Sequence, residues 1–298
     1  MSITAEEIVT QPECWERAAG LLPEVAGLLP ATGEKVAVVG CGTSWFMAQS
    51  YAVLRERAGL GVTDAFAASE FPYGRDYDRI VAITRSGTTT EVLELLRKVR
   101  GTGGTGGTVR TTAVIGDPDT PIVDLVDDLV VLDFADEKSV VQTRFATSVL
   151  ALLRTHLGED IAPAVADARR AIAEALSPDL LGAEQFSFLG TGWSYGIALE
   201  AGLKMREAAG AWTESYPAME YRHGPISITG PNRIAWVFGD LPEGLDGDVA
   251  RTGGTLEASG TDPLADLIRV QRLAVAIAEA NGLNPDTPRN LTRSVVLS

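Results

Sequence analysis

Lys35 to Gly59 reads KVAVVGCGTSWFMAQSYAVLRERAG. An apolar run at Val36 to Val39 meets a Gly-Cys-Gly-Thr-Ser turn, and a helical pattern then continues to Arg57, so the stretch is one strand–turn–helix unit. An apolar run of this kind is what a strand buried on both faces, as in a parallel sheet, looks like. A shift of about 150 residues lays the sequence over itself. FSFLGTGWSYGIALEAGLKMRE falls on the first unit with Gly190 on Gly40, and ESYPAMEYRHG around Ser215 falls on ASEFPYG around Ser69. RIAWVF then matches RIVAIT, and GTLEASGTDP matches TTAVIGDPD. Four correspondences in the same order indicate two copies of one α/β unit.

The expected fold is therefore α/β: two tandem doubly wound units, each a parallel sheet flanked by helices, with ligands at the carboxyl ends of the strands. Residues 1–33 read as a helical lead-in with Trp15 and Leu21 to Leu29 as packing residues. The first unit spans 34–158, and the second spans 159–298 with a C-terminal helix and tail. Helices are expected at Ile161 to Leu176, joining the copies, and at Leu264 to Ala280. Gly101 to Gly107, GTGGTGG, reads as a linker loop, since it lacks the lysine and helix of a P-loop. Asp240 to Asp266 is short for a complete second copy.

Composition narrows the function. The chain of 298 residues is 45% hydrophobic and 22% charged, with a formal net charge of −15. That charge opposes nucleic acid and anionic membranes, so neither is an expected partner. No apolar run reaches the roughly 18 residues of a membrane span, and nothing resembles a signal peptide. Cys14 and Cys41 form neither a disulfide framework nor a metal-ligand pattern, which points to a reducing cytoplasm and to no metal or other cofactor.

The two copies differ where chemistry would sit. After its strand the first copy has Thr84-Arg85-Ser86-Gly87-Thr88-Thr89-Thr90. Backbone N–H groups gather where a strand runs through glycine into a helix, and the hydroxyls add donors, an arrangement suited to a phosphate monoester. Thr43 and Ser44, after Gly42 at the preceding strand's end, add two more. Helix capping accounts for one or two such hydroxyls but not for six. The second copy has Gly239-Asp240-Leu241-Pro242-Glu243 instead, which cannot hold an anion in this way.

The second copy's distinctive element is the helix from Gly196. At about 100° per residue, Glu200, Lys204 and Glu207 share a stripe about 60° wide, and alanines, Ile197 and Met205 fill most of the remaining circumference. So apolar a helix is buried, and its charged stripe must face a cleft or a polar interface. A plain i, i+4 surface ion pair between Glu200 and Lys204 is the competing reading. His223, one of two histidines, lies in Tyr-Arg-His-Gly-Pro and reads equally as a loop residue or a functional one. Neither Gly40-Cys41-Gly42 nor Gly190-Thr191-Gly192 completes a dinucleotide fingerprint, and no Gly-x-Ser-x-Gly elbow occurs. A phosphate nest with a carboxylate, a lysine and a histidine provides the parts to open a sugar ring and move hydrogen between C1 and C2.

CGTS, ASEF, SGTTTE, ALEAGLKMRE, YRHGP and the terminal PRNLTRSVVLS resemble the tandem SIS-domain phosphosugar isomerases, in particular the isomerase half of glucosamine-6-phosphate synthase. QPECW and EKSVVQTRFAT (Glu137 to Thr147) are more similar to the stand-alone tagatose-6-phosphate ketose/aldose isomerases of amino-sugar-phosphate deaminase type. The resemblance covers Gly33 to Ser298. It implies phosphate contacts at Thr43, Ser44, Thr84, Ser86 and Thr89, with Arg85 where the synthase pattern has glutamine, and sugar contacts at the backbone of Val140 and Val141. It also implies that Glu207 transfers the proton, supported by Glu200 and Lys204, and that His223 opens the ring from a neighbouring subunit of a homodimer or larger homo-oligomer.

The tail departs from the synthase pattern at Arg293, where that pattern has an imine-forming lysine. A guanidinium stays protonated and is no amine nucleophile, so synthesis through that imine is not expected. No glutaminase segment is expected ahead of Gly33 either. The reading that follows is an isomerase, deaminating an amino-sugar 6-phosphate, in which Lys204 and Arg293 offset enediolate charge. A deglycase of fructosyl-amino acid 6-phosphates and a non-catalytic phosphosugar sensor are the alternatives.

Overall fold

The computed structural model describes residues 1–102 and 109–297. The chain divides into two compact units, one formed by Glu13–Ile161 with Thr292–Ser298 and the other by Met1–Pro12 with Ala162–Leu291. Helices α1 (Ile3–Val9), α2 (Gln11–Gly20) and α3 (Leu22–Val25) open the chain.

The unit built on Glu13–Ile161 contains β1 (Val36–Gly40), α4 (Thr43–Arg57), β2 (Thr63–Ala67), β3 (Arg79–Thr84), α5 (Thr90–Thr102), β4 (Arg110–Ile115), β5 (Asp128–Val131) and α6 (Arg144–His156). Its strands pair in parallel in the order β2-β1-β3-β4-β5. The central strands are covered on both faces, which is why β1 and β3 are buried along their whole lengths. Ile80, Ala82, Leu95, Leu96, Ile115 and Ile122 join one core cluster, and burying each large apolar side chain contributes about 1.5–3 kcal/mol.

The other unit contains α7 (Ala162–Ala173), α8 (Pro178–Leu181), β6 (Gln185–Gly190), α9 (Ser194–Ala209), β7 (Thr213–Pro217), β8 (Arg233–Phe238), α10 (Leu245–Thr252), β9 (Thr255–Glu257) and α11 (Pro263–Ala280). The parallel sheet order is β7-β6-β8-β9. The four-strand order thus matches β2-β1-β3-β4, and a fifth strand is absent among the described residues. The short stretch after Asp240 accommodates only α10 and the three-residue β9.

Gly40 and Gly190 end the first strand of each sheet for the same steric reason. A Cβ on Gly40 would lie 2.7 Å from Ser44 Cβ, and one on Gly190 would lie 2.4 Å from the Ser194 carbonyl carbon. Only glycine lets the following helix turn back so closely over the strand.

Three boundaries differ from expectation. Met1–Pro12 and the tail are separated from the segments adjoining them in sequence by their hydrogen bonds. Ile3 N and Thr4 N donate to Asp286 at 3.0 and 2.7 Å, whereas the tail pairs with residues after β3, described below. The lead-in is accordingly not one element, although Trp15 is fully buried and donates to Thr147 Oγ1 at 2.9 Å. Of the expected linker loop Gly101 to Gly107, Gly101 and Thr102 end α5, and 103–107 lie outside the described residues. Among the described residues no helix is long and apolar enough to cross a membrane.

Candidate functional site

Thr84 ends β3, and α5 begins at Thr90. Between them Gly87 has φ +61°, and a Cβ there would lie 2.1 Å from Thr120 Oγ1, so glycine is required twice over. This turn draws the hydroxyls together: Thr88 N and Thr88 Oγ1 donate to Ser86 Oγ at 3.2 and 3.1 Å. Cys41 and Gly42 form the matching turn after β1, with Gly42 at φ +54°, and Thr43 and Ser44, the first residues of α4, are both buried. Because β1 and β3 are parallel neighbours, both turns lie at carboxyl strand ends and both open into helix N-termini, where anions are favoured.

The segment after Leu291 sits on this turn. Ser294 Oγ lies 3.1 Å from Ser86 Oγ, 2.9 Å from Thr88 Oγ1 and 3.5 Å from Thr89 Oγ1. Thr90 N donates to the Val295 carbonyl at 3.1 Å, and Leu297 N donates to Thr90 Oγ1 at 2.9 Å.

Arg85 is 2% exposed, and its side chain serves the surrounding chain. Its guanidinium donates to the carbonyls of Ser139 at 2.9 Å, Arg293 at 2.8 Å and Val140 at 3.5 Å, and lies 3.8 Å from the Glu137 carboxylate. Glu137 in turn accepts from Thr143 Oγ1 and Arg144 N at 2.7 and 2.9 Å and so caps α6. Ser139 Oγ donates to the Val141 carbonyl at 2.9 Å. Arg293 Nη2 donates to both carboxylate oxygens of Asp136 at 2.6 and 2.7 Å.

The other unit carries the charged stripe, on α9. Glu200 and Lys204 are each 1% exposed, which excludes the solvated surface pair. Lys204 Nζ donates to Glu207 Oε2 at 2.5 Å and lies 3.4 Å from Glu200 Oε1. Gly210 ends the helix in the left-handed region, donating to the Arg206 carbonyl. Glu207 therefore stands in the last turn, on the wall of a cavity of about 470 Å³ that Arg206, Asn284, Thr287, Arg289 and Asn290 also line. Burial lowers the pKa of Arg206, and Glu207 and Glu200 oppose that shift. His223 is exposed at the end of a 3-10 turn, Glu220–His223, before Gly224 at φ +134°. Among the described residues no three His, Cys, Asp or Glu side chains group to hold a metal ion.

No protein-family model matches the chain. It is 27% identical over 346 residues to the isomerizing glutamine–fructose-6-phosphate aminotransferase of Thermosynechococcus vestitus, an alignment covering 95% of this chain and 55% of that protein. The chain spans about half the length of the curated relatives it matches. A solved C-terminal domain of the glucosamine-fructose-6-phosphate aminotransferase of Francisella tularensis superposes with a TM-score of 0.77 at 22% identity, covering 97% of this chain and 98% of that one. Over nearly its whole length the chain is similar to about half of these isomerizing aminotransferases. The likeness of fold also extends to the glucosamine-6-phosphate deaminase of Thermotoga maritima, with a TM-score of 0.78, 23% identity and coverage of 99% of this chain and 100% of that one.

The site residues expected from sequence fall into two groups. Gly42, Thr43, Ser44, Thr84 to Thr89, Val140, Val141 and Arg293 belong to one unit, and Glu200, Lys204, Glu207 and His223 belong to the other. Sequence reading overlooked Ser294 and Asp136. The density of hydroxyls after β3 signalled the nest, but no pattern announced which distant hydroxyl would enter it.

Proposed function

We propose that the chain is a phosphosugar aldose/ketose isomerase that converts an amino-sugar 6-phosphate to the ketose 6-phosphate with release of ammonia. The observation that carries this reading is the convergence of the Ser86, Thr88 and Thr89 hydroxyls at the N-terminus of α5, a cradle for a phosphate dianion. The homologous isomerizing aminotransferases and the deaminase of the same fold support it. We further propose that the shared strand order reflects tandem SIS units arising by duplication, with the second unit's sheet the shorter one.

In the proposed reaction Ser86, Thr88 and Thr89, with Thr43, Ser44 and Thr84, anchor the phosphate. His223 opens the ring. Glu207 takes the C2 proton of the open-chain aldose and returns it to C1. A second proton passes from the 2-amine to O1, so the amine becomes an imine and C1 a hydroxymethyl group; water then adds to the imine carbon, and ammonia leaves to give the ketone. Lys204, at 2.5 Å from Glu207, orients the carboxylate and tempers the negative charge that develops at O1 of the enolamine. Arg293 is assigned to holding the tail through Asp136 rather than to the reacting carbons. Arg85, likewise, positions the backbone of residues 139–140 and of Arg293.

A homodimer or larger homo-oligomer belongs to this proposal, because His223 is exposed on its own subunit and free to serve another. The cytoplasm is the proposed compartment, in keeping with Cys14 and Cys41, which are not joined in a disulfide. The test is a panel of hexosamine and hexose 6-phosphates incubated in heavy water and followed by NMR. Deuterium at the exchanged carbon together with released ammonia is expected from a hexosamine 6-phosphate; no exchange with any phosphosugar would reject the reading.

A further inference from the structure

We infer that the segment Ser294–Leu297 is an intramolecular occupant of the phosphate nest, placing its own oxygens where phosphoryl oxygens bind, and that substrate phosphate competes with it. The inference rests on the reading of Ser86–Thr90 as a phosphate site. Ser294 Oγ lies within 3.5 Å of three hydroxyls at once, those of Ser86, Thr88 and Thr89. A phosphoryl oxygen in this nest would share the same three partners. The Val295 carbonyl accepts from Thr90 N at 3.1 Å, the first N–H of α5 and one of the donors a helix N-terminus offers an anion. One oxygen shared among hydroxyls and a second on a helix N–H are the contacts a phosphate monoester makes in such a cradle.

The segment is built to leave. Val295, Val296 and Leu297 are 52%, 68% and 63% exposed, so side-chain burial contributes little to the seat, which is made of hydrogen bonds that water or phosphate can replace. Arg293 is held separately, by Asp136 on its guanidinium and by Arg85 on its carbonyl. Ser294–Leu297 can therefore peel away from the nest while Arg293 stays anchored.

The experiment compares the full chain with Ser294→Ala and with a variant ending at Arg293, using inorganic phosphate as the probe. Calorimetry reads affinity, and amide exchange at Thr90 and Leu297 reads the seat. If one molecule in ten is open without ligand, the truncated variant binds phosphate roughly tenfold tighter than the full chain, with Ser294→Ala between them. In the full chain, phosphate strips protection from Leu297. Tighter binding with lost protection supports the inference. Phosphate binding that is unchanged or weakened by the truncation, or that leaves Leu297 protected, overturns it while the nest stands. Absence of phosphate binding to every form overturns both the inference and the nest.

Discussion

Lys204 and Glu207 stand one helical turn apart on α9, with Nζ 2.5 Å from Oε2, and the lysine is 1% exposed while the glutamate side chain retains 19%. Burial of the ammonium beside a second carboxylate, Glu200 at 3.4 Å, makes this a buried charge cluster with one member reaching toward a cavity. Replacing Lys204 by Met removes the positive charge from between two carboxylates. Loss of one partner of a buried pair typically costs about 3–5 kcal/mol. Urea unfolding should show a midpoint lowered accordingly, and an unchanged midpoint would mean that the cluster is solvated.

Gly87 should tolerate no side chain. At φ +61°, with Thr120 Oγ1 only 2.1 Å from the position of a Cβ, Gly87→Ala combines backbone strain with a clash, on the order of 1–3 kcal/mol for the strain alone. The expected result is lower stability together with weakened phosphosugar binding, read by thermal unfolding with and without hexose 6-phosphate. Wild-type stability and affinity would show that the turn is not held as described.

Arg85 ties the nest to two other segments. Arg85→Gln removes donors to the Ser139 and Arg293 carbonyls and the charge facing Glu137, and hydrogen bonds to a charged group contribute about 1.5–3 kcal/mol each. Amide exchange should rise in residues 139–141 and 293–297 together. Faster exchange in only one of these segments would show that Arg85 does not couple them.

A histidine at the amino ends of the first sheet's strands gives stability a pH dependence. Burial first, then Arg55 and Arg79, lower the pKa of His156. Arg55 donates to Thr63 Oγ1 and the Ala31 carbonyl, and Arg79 pairs with Glu34 and Asp128. The unfolded chain therefore takes up this proton more readily than the folded one. Stability falls as pH drops below the ordinary imidazole value near 6.5 and is restored above it. Between pH 7.5 and 5.5 the urea midpoint should decline less in His156→Gln than in the wild type. Equal declines would remove His156 as the cause.

Much of this was legible because parallel strands announce themselves as apolar runs and because Gly40, Gly190 and Gly87 are sterically obligatory. The helix expected at Ile161 to Leu176 forms over Ala162–Ala173, and the one at Leu264 to Ala280 begins a residue earlier, at Pro263. The placement of the tail was not legible. Its register on the nest is made by the Val295 carbonyl, the Leu297 N–H and one serine hydroxyl, and backbone groups leave no trace in sequence. β5 was hidden for a related reason: Asp128–Val131 is four residues long within an acidic stretch, too short for periodicity to declare it. Arg85 joined the expected site only by its position in the resemblance, where the synthase pattern has glutamine; its side chain is directed to carbonyls and to Glu137.

The central claim is that Glu207 moves the proton while the hydroxyl nest holds the phosphate, and one measurement separates the two roles most directly. Exchange of the C2 proton of a hexosamine 6-phosphate in heavy water should fall by about two to four orders of magnitude in Glu207→Gln, the range for loss of a general base, with phosphosugar affinity within a few-fold of wild type. C2 exchange at the wild-type rate in Glu207→Gln would contradict the account.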